Sequence, residues 1–188
     1  MVPVRTVGAD MVQLTAIAAL DAANGLVAVG TDGDVICDRT RFQDDVGALY
    51  WHVSGTDAED WLVADADAYG VAVALMAVLH AGRRAVFPAN LQPGHLAKVR
   101  AAAHGALTSD PAIVTAIGAS PIFHPSPERA SDLPPIAAGA GIVLLTSGTS
   151  GEPLAIEKPF SCLIAEVEAL EAVFGGRIPS SGTVLGTV

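Results

Sequence analysis

The feature that most constrains the fold is the alternation of short apolar runs with predicted helical segments between Trp61 and Thr108. Three short runs, at 61–64, 85–87 and 106–108, are separated by segments long enough for one helix each. Runs of this length between turn signals fit buried strands. Consecutive strands joined by single helices need right-handed crossovers and lie parallel, with both sheet faces covered. The sequence therefore predicts the α/β fold class: a mostly parallel sheet with flanking helices.

The helix between the first two of these strands is marked at both ends. Asp65 and Asp67 precede the apolar segment 71–79, and Gly82 follows it as a stop signal. The segment 71–79 is apolar on nearly every side. That pattern is expected of a helix packed between a sheet and another layer, which needs no polar stripe.

The same signals predict further elements on either side. In chain order they are a helix from Asp10 to about Ala23, a hairpin of strands 26–29 and 34–37, a helix from Thr40 to Gly55, a helix from Pro93 to about Ala103, a strand at 142–145 and a helix from Phe160 to Phe174. Prolines between Ser120 and Pro135 predict a connecting loop without regular pairing. Because the strand at 142–145 needs the earlier sheet for partners, we predict one continuous domain.

Composition excludes several classes of protein. The chain has 188 residues, with 10 basic against 20 acidic side chains and a formal charge of −10. Nucleic-acid binding rests on clustered Lys and Arg, and an anionic membrane surface repels such a chain. No apolar run approaches the ~20 residues of a membrane span, and no secretory signal is evident. With 2 cysteines and no Cys/His cluster, we expect a cytoplasmic protein without metal ligands.

The chemistry is expected in the polar loop that follows the strand at 142–145. Residues 146–151 read Thr-Ser-Gly-Thr-Ser-Gly. Glycines let backbone N–H groups approach an anion closely, and hydroxyls add donors without bulk, so such a loop can wrap polyphosphate oxygens. It is not a Walker loop, because no lysine follows Gly151. Gly139-Ala140-Gly141 is not a dinucleotide fingerprint, because it precedes its strand.

The sequence from Leu144 to Pro153, Leu-Leu-Thr-Ser-Gly-Thr-Ser-Gly-Glu-Pro, resembles the phosphate-loop signature of the AMP-binding, adenylate-forming ligases. That family includes acyl-CoA synthetases, aryl-acid ligases and the adenylation domains of peptide synthetases. Lys158 and the helix Phe160 to Phe174 continue the resemblance, and 61–88 resembles the family's strand-helix-strand unit. The resemblance covers most of the chain and is loose before Trp61.

The resemblance implies an ATP- and Mg²⁺-dependent enzyme. A carboxylic acid would attack the α-phosphate of ATP, release pyrophosphate and become an acyl-adenylate. The thiol of CoA or of an acyl carrier protein would then take the acyl group, as in fatty acid metabolism. Donors arranged in advance stabilise the charge of the leaving pyrophosphate. By the same resemblance the residues that bind the β- and γ-phosphates would be Thr146, Ser147, Gly148, Thr149, Ser150 and Gly151, with Lys158 as the nearby cation.

Two departures from the family pattern shape the expectation. The lysine that usually follows the motif's proline is replaced by Leu154, so the loop has its own cation only if Lys158 reaches back. The adenine and ribose contacts, the acidic magnesium ligand and the catalytic lysine of the C-terminal domain have no counterpart here. We therefore expect residues 1–188 to be the N-terminal portion of an AMP-binding domain. Alone it would have no catalytic residue, be inactive and self-associate through open sheet edges.

Plainer interpretations stay open beside these. The loop 146–151 fits an ordinary turn, and Lys158 fits a solvated surface lysine. The five histidines share no spacing with an acid or a nucleophile, so they are predicted at the surface or at helix ends. Four aspartates are predicted as helix N-terminal carboxylates: Asp44, Asp45, Asp65 and Asp67. The alternatives to a ligase are a non-catalytic binding or interaction module derived from that family, or a different phosphate-ligand protein.

Overall fold

The computed structural model describes residues 26–29, 35–123, 133–146 and 154–175. They form a six-stranded sheet with helices on both faces and a separate two-stranded sheet. The strands are β1 (Leu26–Val29), β2 (Val35–Asp38), β3 (Asp60–Val63), β4 (Arg84–Phe87), β5 (Gly105–Thr108), β6 (Ser120–Pro121), β7 (Gly141–Thr146) and β8 (Leu154–Pro159). The helices are α1 (Arg39–Ser54), α2 (Ala68–His80), α3 (Pro93–Arg100), α4 (Pro111–Ile117) and α5 (Phe160–Phe174).

The large sheet has the order β6-β5-β3-β4-β7-β8. Every neighbouring pair is parallel except β7 and β8, which are antiparallel. The predicted α/β class with a mostly parallel sheet is therefore confirmed. The predicted hairpin is present as the antiparallel pair of β1 and β2. The helix predicted from Asp10 to Ala23 lies outside the described residues.

The alternation of side chains along β3 explains why this strand is apolar throughout. Trp61 and Val63 point to the face covered by α1 and α2, whereas Leu62 points to the face covered by α3. All three side chains are buried. A central strand of a parallel sheet buries both faces in this way, so a continuous apolar run is its expected sequence.

The ends of α2 follow the sequence prediction. The carboxylate of Asp67 accepts a hydrogen bond from the Gly70 N–H at 2.8 Å and caps the helix. At the other end Gly82 has a φ of 71°, in the left-handed region, and the Arg83 N–H donates to the Val78 carbonyl at 3.1 Å. Glycine tolerates this conformation because it has no Cβ.

Four details differ from the sequence prediction. The segment from Ser120 was predicted as an unpaired loop, but Ser120 and Pro121 form β6 beside β5. Proline is accepted there because β6 is an edge strand. The short helix α4 and the strand β8 were not predicted. The third helix ends at Arg100, three residues before the predicted end, and continues as a turn in which the Ala102 N–H donates to the Val99 carbonyl.

The first residue of β7 is a glycine for a steric reason. A Cβ at Gly141 would lie 2.5 Å from the backbone oxygen of Lys158, on the neighbouring strand β8. The adjacent Ala140 carbonyl accepts a hydrogen bond from the Phe160 N–H, the first residue of α5. Strands β7 and β8 and the start of α5 are therefore held together at this end of the sheet.

Among the helices described above, none combines the length and apolar character that a bilayer-spanning segment requires.

Candidate functional site

The carboxyl ends of three adjacent parallel strands, β3, β4 and β7, meet at one edge of the sheet. The chain leaves β3 into α2 on one face and leaves β4 into α3 on the other. Where successive connections leave to opposite faces, α/β proteins have a crevice that binds ligands. Strand β7 lies next to β4 and ends at Thr146, so the polar loop begins at this edge of the sheet.

The two ends of the polar loop are fixed against each other. Thr146 lies opposite Leu154 in the β7–β8 ladder, and its Oγ1 donates to the Leu154 carbonyl at 3.3 Å. Opposed residues of an antiparallel pair have Cα atoms about 5 Å apart. Thr146 and Leu154, the described residues on either side of this segment, therefore lie side by side at the sheet edge. Among the predicted phosphate ligands only Thr146 is described; Ser147, Gly148, Thr149, Ser150 and Gly151 lie outside the described residues.

The structure does not bring Lys158 to Thr146, the described residue of the loop. Lys158 pairs with Ile142, four residues along β8 from the Thr146–Leu154 pair. Four residues of strand extend about 13 Å, farther than a lysine side chain reaches. The Lys158 Nζ instead lies 2.7 Å from Oε1 of Glu166 and joins β8 to α5.

Leu154 occupies the position where the family pattern has a lysine. It is the first residue of β8, directly across from Thr146, and its side chain is 62% exposed. The position is therefore open to solvent at the base of the loop, and the leucine adds no positive charge there. A lysine would fit this position without displacing a neighbour.

Sequence reasoning missed a buried carboxylate at the same edge. Asp65 follows β3 and is 9% exposed. Its Oδ1 accepts from the Asp67 N–H at 2.8 Å, and its Oδ2 accepts from the Ser109 N–H. Asp65 therefore ties the loop after β3 to the loop after β5. Asp67 is a helix N-terminal carboxylate as predicted, but Asp65 holds two loops together, a role that no local sequence signal indicates.

The prediction for Asp44 and Asp45 is wrong. Helix α1 begins at Arg39 and has no acidic residue in its first turn. The Asp45 carboxylate accepts instead from the Arg41 Nε at 2.9 Å and from the Tyr69 hydroxyl at 2.8 Å.

An aromatic pair lies above the carboxyl edge. The rings of Tyr69, at the start of α2, and Phe123, just after β6, stack with centroids 5.9 Å apart and planes 9° apart. Because the Tyr69 hydroxyl bonds to Asp45, α1, α2 and the end of β6 are joined at this edge.

Among the described histidines, His80 has a structural role. It is the last residue of α2, and its Nδ1 lies 2.7 Å from the Pro134 carbonyl oxygen, which accepts the hydrogen bond. Burial lowers the pKa of His80, and the bond to Pro134 partly opposes that shift. The Nε2 atom is buried with no hydrogen-bond partner among the described residues. Protonation of this ring would therefore bury an uncompensated charge.

The opposite, amino edge carries a separate charged group. Arg84 donates to both carboxylate oxygens of Asp60, at 2.7 and 2.8 Å, and these bonds raise the pKa of Arg84. A shallow groove of about 170 Å³ opens beside this pair, with Glu157 on its rim and Val86 and Val143 on its floor. The groove extends along the sheet to Leu145, the residue directly before Thr146.

Within the described ranges, no group of three or more His, Cys, Asp or Glu side chains is placed to hold a metal ion.

The fold is similar to that of known solved structures. No protein-family model matches the sequence, and no curated protein matches it. Solved structures of adenylate-forming ligases, in contrast, superpose on most of the chain at low sequence identity. The resemblance inferred from the sequence is therefore confirmed at the level of the fold.

Three of these structures show the extent of the likeness. The chain is 15% identical to apo MatB from Rhodopseudomonas palustris, with a TM-score of 0.65 over 89% of this chain and 38% of MatB. It is 14% identical to O-succinylbenzoate coenzyme A synthetase from Bacillus subtilis in complex with AMP, with a TM-score of 0.64 over 85% of this chain and 45% of that one. It is 18% identical to the fatty acyl-adenylate ligase from L. pneumophila in complex with acyl adenylate and pyrophosphate, with a TM-score of 0.58 over 74% and 28%. The chain thus spans less than half the length of each.

Proposed function

We propose that residues 1–188 are the N-terminal portion of an ATP-dependent, acyl-adenylate-forming ligase. The complete enzyme would activate a carboxylic acid as its adenylate and pass the acyl group to CoA or to an acyl carrier protein in the cytoplasm. The adenine-binding residues, the acidic Mg²⁺ ligand and the catalytic lysine would come from sequence outside these residues. The 188 residues alone would not catalyse the reaction.

The observation that carries this proposal is the place of the polar loop in the fold. The segment Thr146 to Gly151 follows β7, whose carboxyl end lies beside that of β4 in the parallel part of the sheet. Structures with this fold include proteins solved with acyl adenylate and pyrophosphate or with AMP. Backbone N–H groups and hydroxyls in this position suit the β- and γ-phosphates of MgATP.

The loop residues would act as donors and would not react. The hydroxyls of Thr146, Ser147, Thr149 and Ser150 would donate to phosphate oxygens, and Gly148 and Gly151 would let the backbone come close. Thr146 has one hydrogen bond to the Leu154 carbonyl, so its hydroxyl proton is engaged until a ligand competes for it. Lys158 is held by Glu166, so we assign phosphate binding to the loop and not to this lysine.

The loop is tested by measuring binding of MgATP and of magnesium pyrophosphate to the purified chain by calorimetry. We expect weak binding that Ser147→Ala combined with Thr149→Ala removes. Ser161→Ala, a serine on the exposed surface of α5, is the matched control and should bind like the parent. Equal binding by the parent and the double variant would show that the loop is an ordinary turn.

The ligase itself is tested on the transcript that encodes the chain. The reading frame is expected to continue past the Val188 codon and to encode an acidic Mg²⁺ ligand and a C-terminal lysine. Carboxylate-dependent exchange of pyrophosphate into ATP should then require the continued chain. A stop directly after Val188 would remove the ligase from consideration.

A second function is favoured by one observation, the leucine at the base of the loop. Leu154 leaves the loop without its own cation, and Lys158 is engaged elsewhere, as expected of a non-catalytic binding module whose phosphate site has decayed. Leu154→Lys separates the two functions, because the exposed position accepts a lysine. If MgATP binds only after this change, the decayed module is the better description; if the parent already binds, the ligase is.

A further inference from the structure

The groove beside Arg84 combines an apolar floor with a charged end. Val86 and Val143 are paired across β4 and β7, and Leu145 continues this floor along β7. Residues at and just after the end of α3 form one wall. The volume of about 170 Å³ is that of about six water molecules at ~30 Å³ each. Concave apolar sites with a few polar groups are the usual form of small-molecule sites.

The groove is open on one side because α3 covers only part of this face of the sheet. Leu62 on β3 and Val86 on β4 are buried against α3. Glu157 of β8 is paired with Val143 and lies on the same face, yet its side chain is 68% exposed. The apolar floor therefore ends at a carboxylate that is in contact with solvent.

The charges at this end of the groove do not cancel. Arg84 donates from Nε and Nη2 to the two carboxylate oxygens of Asp60, at 2.7 and 2.8 Å. The third nitrogen, Nη1, lies 3.7 Å from Oε1 of Glu157, which is longer than a hydrogen bond. Of the described residues, none donates a hydrogen bond to the Glu157 carboxylate. Two carboxylates against one guanidinium leave one negative charge in excess, and Glu157 carries it.

The surroundings of the groove favour a small ligand over a protein partner. A stable protein interface buries more than about 1,000 Å² and has an apolar core. In the part of the chain that the structure describes, eight large apolar residues are exposed, and none of them lines the groove. Leu154 and Ile156, the exposed apolar residues of β8, alternate with Glu157 and lie on the other face of the strand. The apolar surface at the groove is therefore confined to the groove itself.

We propose that this groove binds a small primary amine with an apolar body. The ammonium group donates to Glu157, and the body lies on Val86, Val143 and Leu145. An ammonium group supplies the positive charge that this end of the groove lacks. A ligand carboxylate at Arg84 Nη1 would instead lie beside the carboxylates of Asp60 and Glu157. The proposal uses none of the loop residues 146–151 and does not rest on the proposed function.

The test is a titration of the ¹⁵N-labelled 188-residue chain with phenethylamine, followed by two-dimensional NMR. Saturable shifts are expected at the amides of Val143, Leu145 and Glu157. The probe 3-phenylpropionate, which has a carboxylate in place of the ammonium group, should bind more weakly. Glu157→Gln should weaken phenethylamine binding about threefold, as expected when one exposed ion pair is lost. Glu168→Gln removes the same charge from the exposed surface of α5 and should bind like the parent.

A second pair of variants tests the apolar part of the groove. Ala102 lines the groove and is exposed, so Ala102→Leu places a larger side chain in the groove without entering the core. It should weaken phenethylamine binding by at least about tenfold through steric exclusion. Ala101→Leu is the matched control, because Ala101 is exposed and does not line the groove. It should bind phenethylamine like the parent.

Any of three results would overturn the proposal. The first is a titration without saturable shifts at the groove. The second is equal affinity for phenethylamine and 3-phenylpropionate, which would show that charge does not select the ligand. The third is equal binding by the parent and Ala102→Leu. Shifts at Leu170 and Val173 in place of the groove residues would locate the amine on the exposed apolar residues of α5, and this too would contradict the assignment.

Discussion

The centre of the sheet and its β7–β8 end are built from similar strands but are stabilised differently. Leu62 and Leu107, on β3 and β5, are completely buried between helices on two faces. Leu154 and Ile156, on β8, are 62% and 40% exposed. Strand pairing is regular in both places, so hydrogen bonds between strands do not distinguish them. The centre of the sheet is therefore covered on both faces, whereas the β8 and α5 end has large apolar side chains exposed.

The largest loss of stability is expected from a substitution in the buried centre of the sheet. Leu107→Ala removes a fully buried side chain and should lower the free energy of unfolding by about 3 kcal/mol. Leu154 is the matched leucine at the exposed end of the sheet. Leu154→Ala should change the free energy of unfolding by less than about 0.5 kcal/mol. Urea denaturation of both variants measures the difference. Similar losses would mean that β8 is as well covered as β5.

A smaller loss of stability is expected when the hydrogen bonds accepted by Asp65 at the carboxyl edge are removed. Asp65→Ala leaves the N–H groups of Asp67 and Ser109 without their buried acceptor and should cost about 2 kcal/mol. The control is Asp110→Ala, which removes a cap from the exposed start of α4 and should cost about 1 kcal/mol or less. Denaturant titrations that rank the two variants the other way would show that Asp65 does not hold the edge together.

The pH dependence of stability is predicted from His80, the last residue of α2. Burial lowers the pKa of His80 below its usual 6.5, so below pH 6.5 the unfolded chain binds a proton more readily than the folded one. The contribution of neutral His80 to stability is therefore fully present above pH 6.5. It should decrease as the pH falls toward the lowered pKa of this residue. His80→Asn keeps a donor for the Pro134 carbonyl and should flatten this decline. His104→Asn, at an exposed site, should leave it in place; an identical decline in all three proteins would contradict the assignment.

The smallest effect is expected at Lys158. Its ion pair with Glu166 is partly exposed, so Lys158→Met should cost less than about 1 kcal/mol, and less still at high salt. The same variant should bind magnesium pyrophosphate like the parent, because Lys158 lies four residues from the base of the loop. Loss of that binding would place the lysine at the phosphates after all.

The fold was predictable wherever a signal was local and repeated. The apolar runs at β3, β4 and β5, the cap at Asp67 and the stop at Gly82 each depend on a few adjacent residues, and the structure has them as expected. Strand β8 was missed because it has no buried face and its short apolar run at 154–156 leads directly into charged residues. Strand β6 was missed because its two residues pair only as an edge, beside a proline.

The candidate site was predictable in composition but not in geometry. The sequence indicates which residues can donate to a phosphate, and the fold adds that their loop starts at the carboxyl edge. The sequence cannot show that Lys158 is turned toward Glu166, because that depends on the β7–β8 register. Nor can it show that Asp65 bonds to Ser109, since 44 residues separate them along the chain.

Gly141, the first residue of β7, limits which substitutions the chain tolerates. Gly141 lies at the far end of its strand from Thr146 and has no side chain to offer a ligand. Yet any larger residue there would meet the Lys158 backbone and push β8 away from β7, which would move the two ends of the loop apart. In a library screened for nucleotide binding, Gly141 should thus be as intolerant of substitution as the loop itself, and a screen restricted to the loop would miss it.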